Sequence, residues 1–178
     1  VGGAEKTKNE LKLVSGKTYV GGLIGYNAEN SRLIIQNVEN RTAVSASGTV
    51  DSTEQTCLGQ AVNYSYAGGI IGMVERNTTV DGCSNSDTAV LDSEGTYTGG
   101  ITEKNLGVIQ NCTVRQMGTP QSNYLGGLAG RNEGKIANCT LDETVTGSAV
   151  TGGLTAENYG MIDKCSGSGA VYGYNSYI

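Results

Sequence analysis

One short pattern recurs along this 178-residue chain: an aromatic or aliphatic residue, one variable residue, and then two glycines. Its first glycines lie at 21, 68, 99, 126 and 152, so successive copies are separated by 47, 31, 27 and 26 residues. A period in this range indicates a repeat architecture, in which no single unit buries its apolar face alone. The ten paired glycines are Gly21, Gly22, Gly68, Gly69, Gly99, Gly100, Gly126, Gly127, Gly152 and Gly153.

Strand alternation can be followed from each glycine pair. In the first copy, Tyr19, Gly21 and Leu23 share one parity, and Ile24 and Tyr26 share the other. Because side chains alternate across a strand, we expect the tyrosine, the first glycine and the following Leu or Ile of every copy to face the core. Glycine at two adjacent positions predicts close passage of another segment across a narrow core, or a bend in the strand.

Each copy continues into a four-residue box, of which Ile109-Gln-Asn-Cys112 is typical. Residues three apart cannot both face inward along a straight strand, so the box must contain a corner. Asn and Gly replace each other at its third position, which predicts a positive-φ corner there. The residues at that position are Asn37, Gly82, Asn111, Asn138 and Lys164. A second series, Asn27, Asn105, Asn132 and Asn158, predicts the preceding corner.

These features predict an all-β fold, a parallel β-solenoid of about five coils with three segments per coil. We expect it to be right-handed, from the general rule for parallel crossovers. The whole chain, 1–178, is predicted to be one domain. Residues 1–18 form an N-terminal cap or partial coil, with a strand favoured over a helix at 11–14. The five repeats span 19–170, and residues 171–178 are a truncated sixth coil or a C-terminal cap.

Composition excludes several classes of function. The chain has no His, which removes His-dependent triads, the paired-His zinc motif and the commonest general base. Its acidic residues share no repeat position, so we predict no catalytic, cofactor-binding or metal-binding residues. The net charge of −5 argues against a nucleic-acid partner. No apolar run is long enough for a membrane helix, so membrane insertion is not expected.

Four of the five cysteines end a box, where the first copy has Val38. Valine as the substitute indicates small interior apolar residues, which predicts buried free thiols in one column. Disulfides are disfavoured, since in-register stacking places Cβ atoms about 4.8 Å apart. A soft-metal ladder is weaker still, because the ligands would lie in a row. The column consists of Cys83, Cys112, Cys139 and Cys165.

Two other patterns leave an alternative open. The tyrosines at 19, 66, 97 and 124 could form an exposed ladder for a glycan, although their parity favours an interior aromatic stack. The first repeat holds about 20 extra residues, largely in 43–65, which include Cys57. Insertions often map to a binding face, so this insert either carries a binding determinant or covers the end of the core.

The repeat resembles the GLUG repeat of bacterial surface and secreted proteins. Its Gly-Leu-any-Gly core is present as Gly22-Leu-Ile-Gly25, Gly69-Ile-Ile-Gly72 and Gly127-Leu-Ala-Gly130, whereas two copies depart from it at Glu103 and Ala156. The resemblance implies an extracellular or bacterial cell-surface location and a non-catalytic, adhesin-type binding module or stalk, with a host protein or glycan as partner. The alternative it implies is an accessory, substrate-recognition region of a secreted enzyme such as an IgA-specific metallopeptidase.

Overall fold

The computed structural model describes residues 6–47, 50–55, 61–63, 66–118 and 120–174, with only the backbone for 50–55 and 61–63. Every regular element in these ranges is a short β-strand, and none is a helix. Apart from one hairpin, the strands pair in parallel with the equivalent strand of the neighbouring repeat. The chain is therefore a parallel β-solenoid of about five coils, as the repeat period predicted. Its right-handed sense stays a prediction.

Four parallel sheets run along the solenoid. The first sheet contains Tyr19–Gly21, Tyr66–Gly68, Tyr97–Gly99, Tyr124–Gly126 and Val150–Gly152. The second contains Ile24–Tyr26, Ile71–Val74, Thr102–Asn105, Ala129–Asn132 and Thr155–Asn158. The third contains Leu33–Gln36, Thr78–Asp81, Val108–Gln110, Lys135–Ala137 and Met161–Asp163. The fourth contains Thr7–Asn9, Val38–Asn40, Ser84–Asn85, Thr113–Val114, Thr140–Asp142 and Ser166–Ser168.

A fifth side closes most coils. It is formed by the three-stranded group Leu13–Gly16, Ala43–Ala46 and Leu91–Ser93, and by the pair Val145–Gly147 and Val171–Gly173. Residues 7–16 thus supply two strands to a partial coil that precedes the first. The last strand, 171–173, completes the fifth coil and does not begin a sixth, because it pairs with 145–147. The excess residues of the first repeat form an antiparallel hairpin of Val50–Gln55 and Ala61–Asn63.

The corner within each box was predicted correctly. All five residues at its third position have positive φ, between 51° and 63°. Lys164 adopts this conformation with φ 51°, although a side chain makes it less favourable there than in the equivalent Gly82. The predicted three segments per coil were too few. Each glycine pair adds a bend between the first and second sheets, and the fourth and fifth sides are also separate strands.

The core is a thin column of aliphatic side chains, fully buried in the middle coils. Ile70, Ile101 and Leu128, which follow the glycine pairs, are inaccessible to solvent, as predicted from their parity. Ile71 and Ala129, the next residues along, are equally buried. The residue between the tyrosine and the first glycine also points inward, as Ala67 and Leu125 show. No helix in the described ranges is long and apolar enough to cross a membrane.

Candidate functional site

The paired glycines lie where the backbone turns from the first sheet to the second. A Cβ at Gly126 would overlap the carbonyl oxygen of Ala129 in its own bend and lie 2.8 Å from Thr155 Cα in the next coil. A Cβ at Gly127 would overlap the carbonyl oxygen of Gly153 and the side chain of Leu141, which reaches across from the fourth sheet. Neither glycine has positive φ, so both positions exclude a side chain by close approach.

The cysteine positions form one internal column. Cys83, Cys112 and Cys139 are buried with free thiols, and Cys165 is half-buried in the last coil. Each thiol contacts the backbone carbonyl two residues earlier at 3.1–3.4 Å. The register that pairs Ser84 with Glu39 places Val38 beside Cys83 at the end of the column. Like the glycines, these residues lie at structural positions.

The tyrosines were placed on the wrong face by parity. Tyr19 is 41% exposed, Tyr66 and Tyr97 are half-buried, and only Tyr124 is buried, at 7% exposed. The rings do stack across coils: Tyr19 and Tyr66 have centroids 4.9 Å apart, and Tyr97 and Tyr124 4.5 Å. The aromatic ladder therefore runs along the outside of the solenoid. The bend at the glycine pair explains the error, because alternation counted through it assigns the tyrosine the face of the buried Leu or Ile.

A cleft opens on this outer face, in the angle between the first and second sheets. It has a volume of about 170 Å³ and is lined by Tyr19, Tyr66, Met73, Tyr97, Glu103, Lys104 and Arg131. We call this the tyrosine cleft. The first sheet supplies the aromatic rings, and the second supplies the outward positions Met73, Lys104 and Arg131, which are paired in register. The cleft thus spans several coils and uses positions that differ between repeats.

Ion pairs fix the two cationic side chains of the cleft. Lys104 Nζ lies 3.3 Å from Glu133 Oε1, and Arg131 Nε lies 2.7 Å from the same oxygen. Arg131 also contacts Glu157 at 3.4 Å and stacks over the ring of Tyr159, with its Cζ 4.6 Å from the centroid. Burial opposes ionisation of Glu133, but its bonds to Lys104 and Arg131 lower its pKa overall. Both cations therefore already have carboxylate partners.

Tyr97 is anchored by the same network. Its hydroxyl donates a hydrogen bond to Glu157 Oε2 at 3.1 Å. Burial, together with the nearby Glu157 carboxylate, raises the pKa of Tyr97 to about 12, so it remains a neutral donor at physiological pH. The ring is consequently held in place by stacking on Tyr124 and by this hydrogen bond.

Glu103 is the exceptional residue of the cleft. It occupies the position held by Gly25, Gly72 and Gly130 in other coils, where no side chain enters the angle between the sheets. The residue is only 2% exposed, yet it lines the cleft. Burial raises the pKa of Glu103 well above its ordinary value, although Lys104 and Arg131 lower it in part. The sequence shows this departure from the repeat but does not indicate a role for it.

For the insert of the first repeat, the structure describes only the backbone of residues 50–55 and 61–63. The strands Val50–Gln55 and Ala61–Asn63 pair antiparallel, while Cys57 and the side chains of the insert lie outside the described residues. Whether the insert binds or covers the core therefore stays a prediction. Among described residues, no three His, Cys, Asp or Glu side chains are grouped to hold a metal ion.

Comparison with known proteins gives one match. A family model described as the GLUG motif matches residues 121–146, which cover the end of the third coil and most of the fourth. No curated protein and no solved structure matches the chain. The resemblance seen in the repeat is thereby confirmed, and residues 121–146 carry the GLUG motif within a β-solenoid.

Proposed function

We propose that this chain is a non-catalytic binding module of a bacterial surface or secreted protein, of adhesin type, and that it recognises its partner through the tyrosine cleft. The observation that carries the proposal is the composition of the cleft, in which an outward aromatic ladder adjoins charged side chains on a rigid scaffold. Solenoids commonly use such extended faces for binding. The extracellular setting is what the resemblance to the GLUG repeat implies, and residues 121–146 match the model of that motif.

The arrangement of charges also favours binding over catalysis. Hydrolysis by carboxylates uses two such groups around the scissile bond, one acting as acid and the other as base or nucleophile. Around this cleft, Glu133 and Glu157 are held in ion pairs with Lys104 and Arg131. Among the described residues, Glu103 therefore has no unpaired carboxylate beside it that could act as the second catalytic group. A module that presents aromatic rings and one buried carboxyl group is better suited to hold a ligand than to cleave it.

The test is a binding screen with the labelled chain on arrays of glycans and host extracellular proteins. Met73→Arg is the cleft variant, because Met73 lines the cleft and the fourth coil carries Arg131 at the same register position. Val90→Arg is the matched control, since Val90 is 41% exposed and does not line the cleft. We expect Met73→Arg to abolish the binding signals of the wild type and Val90→Arg to retain them.

A second variant separates the cleft from the insert. Residues 46–62 are replaced by a short Gly-Ser linker, which removes the hairpin. Loss of binding in this variant, with full binding by Met73→Arg, would move recognition to the insert and refute the cleft assignment. No specific binding by the folded wild type in any array would refute the binding role itself. Antibody labelling of intact cells that express the full-length protein tests the surface location.

A further inference from the structure

The carboxylate of Glu103 has no partner in the described structure. It forms no hydrogen bond there and no ion pair within 4 Å; Lys104, Arg131 and Glu133 act on it only through longer-range electrostatics. The residue is only 2% exposed, and it lines the cleft. Uncompensated buried charge is costly, so structures usually pair such groups. Here the third coil places an acidic side chain where three others have none.

The two neighbouring cations are paired with other carboxylates, Lys104 with Glu133 and Arg131 with Glu133 and Glu157. Glu133 accepts from both Lys104 and Arg131, and Glu157 accepts from Arg131 and from the Tyr97 hydroxyl. With Glu103 ionised, this group holds three carboxylates against two cations. A ligand that enters the cleft while Glu103 is ionised therefore meets an excess negative charge at its buried end.

Several ligand classes fit this site poorly. A calcium ion takes six to eight oxygen ligands, and the described residues contain no group of three ligating side chains here. A neutral sugar would leave the charge of Glu103 uncompensated. Its usual aromatic platform is also partly occupied, because Tyr19 stacks on Tyr66 and Tyr97 on Tyr124. An organic cation, in contrast, neutralises the carboxylate while its apolar part is accommodated by tyrosine rings and Met73.

The size of the cleft indicates which organic cations can bind. Its volume of about 170 Å³ is close to the roughly 150 Å³ of an engineered apolar cavity that holds benzene. A four-carbon chain with a terminal ammonium group is of this size. We propose that the tyrosine cleft binds a primary alkylammonium group, with the ammonium on the Glu103 carboxylate and the alkyl chain against Met73 and the tyrosine rings. This inference rests on the proposed function, because it names the ligand class of the same cleft.

A primary alkylammonium group can come from two sources, a lysine side chain within a peptide or a free alkylamine. The minimal probe is n-butylammonium, which contains no other recognisable group. Nα-acetyl-lysine methylamide represents the peptide source, and 1,5-diaminopentane represents the free amine. Stronger binding of the lysine derivative assigns the cleft to peptides, whereas stronger binding of the diamine assigns it to free amines. Either order supports the ammonium assignment.

Methionine methyl resonances provide a direct readout. The chain has three methionines: Met73 lines the cleft, Met117 is buried elsewhere, and Met161 is 58% exposed in the last coil. In protein labelled with [methyl-¹³C]methionine, n-butylammonium should shift the Met73 resonance in a saturable manner and leave the Met117 resonance unchanged. n-Pentanol, the neutral compound of similar size, should bind at least about tenfold more weakly.

Two variants test the role of Glu103. Glu103→Gln keeps the size of the side chain, and Glu103→Ala introduces the residue that the fifth coil has at this position, Ala156. The two variants perturb packing differently, so a folding defect in one leaves the other as a test. Both should weaken n-butylammonium binding about tenfold or more, since each removes one partner of a buried charge pair. Glu143→Gln, which makes the same change away from the cleft, should leave binding unaltered.

The pH profile separates this role from a merely structural one. Tyr19, Tyr66, Tyr97, Lys104 and Arg131 line the cleft with Glu103, and Glu133 and Glu157 are the ion-paired carboxylates beside it. Burial raises the pKa of Glu103 well above its ordinary value. Affinity for n-butylammonium should therefore rise with pH in the wild type as Glu103 ionises, and stay flat in Glu103→Gln. A Met73 resonance that does not respond, equal affinity for n-pentanol, or full binding by a folded Glu103 variant would each overturn the inference. Array binding that persists alongside such a result would leave the proposed function standing.

Discussion

Gly126→Ala is the sharpest test of why the glycine pair recurs. A Cβ at this position overlaps the Ala129 carbonyl oxygen and lies 2.8 Å from both the Ala129 carbonyl carbon and Thr155 Cα. These are backbone atoms, so no rotamer change relieves the contact. Overpacking typically costs about 1–3 kcal/mol. Gly126 does not have positive φ, so no left-handed backbone strain is added. We expect the free energy of unfolding to fall by roughly 2 kcal/mol.

Gly153→Ala is the matched control within the same motif. Its added Cβ would meet only Val171 Cγ2, at 3.4 Å, and its φ is not positive either. Replacing glycine by alanine without strain stabilises a protein by about 0.4–1 kcal/mol, because the unfolded chain loses conformational freedom. The two variants should therefore differ by at least about 2 kcal/mol, although each makes the same change of one methyl group.

Urea unfolding followed by circular dichroism measures this difference as a shift in midpoint at constant slope. For a chain of this size the same gap corresponds to melting temperatures about 4–8 °C apart. Coincident transitions for Gly126→Ala and Gly153→Ala would show that the bend relaxes around a Cβ. Close approach would then not be the reason for the first glycine.

Three further predictions concern the cysteine column, Lys164 and Glu103. In thiol titration of the native protein, the cysteine column should react slowly, and Cys165 should react first because it is half-buried. After denaturation all five cysteines should react. A quantitative disulfide within the column would contradict the stacking. Lys164→Asn should stabilise by about 0.5–1 kcal/mol, because Asn tolerates the φ of 51° better, and Lys164→Ala should give no such gain. For Glu103, the raised pKa means that the native state binds more protons than the unfolded state above pH 4.5, so wild-type stability falls as pH rises through the native pKa. Glu103→Gln should lose this dependence in urea midpoints measured from pH 4 to 8, and parallel pH profiles would contradict it.

The sequence predicts the fold well because the determining constraints are local and repeated. A positive-φ corner must appear at every copy as a residue that tolerates it, and Asn, Gly and Asn at 37, 82 and 111 display this directly. In-register stacking follows from the period, which is why Tyr66 pairs with Tyr97 and Gly68 with Gly99. The cysteine column can be predicted in the same way, since Val38 at the equivalent position of the first copy indicates an apolar interior site.

The face of the tyrosines could not be predicted, because alternation holds only along an unbroken strand. The glycine pair bends the chain, so Gly99 and Gly100 are both buried and the count of faces is reset after them. Thr98, which the sequence would place outside, is inaccessible to solvent, while Tyr97 lines the cleft. In the sequence, glycine at adjacent positions predicts either a close approach or a bend. The structure shows both, and the bend changes the assignment of the outer face.

A repeat fold also changes what a departure from the consensus means. In the third coil, Glu103 replaces a glycine at a position where neighbouring coils bring Tyr97 and the second sheet into close contact. A residue chosen for stability would be small there, as Ala156 is in the fifth coil, since burying an unpaired carboxylate costs free energy that stacking of the coils must offset. Natural sequences tend to break local rules of this kind at functional positions. The tyrosine position, which is aromatic in all but the last coil, provides one wall of the cleft through Tyr19, Tyr66 and Tyr97. Glu103, the acidic departure from the repeat, provides the group for which a ligand of opposite charge is the natural partner.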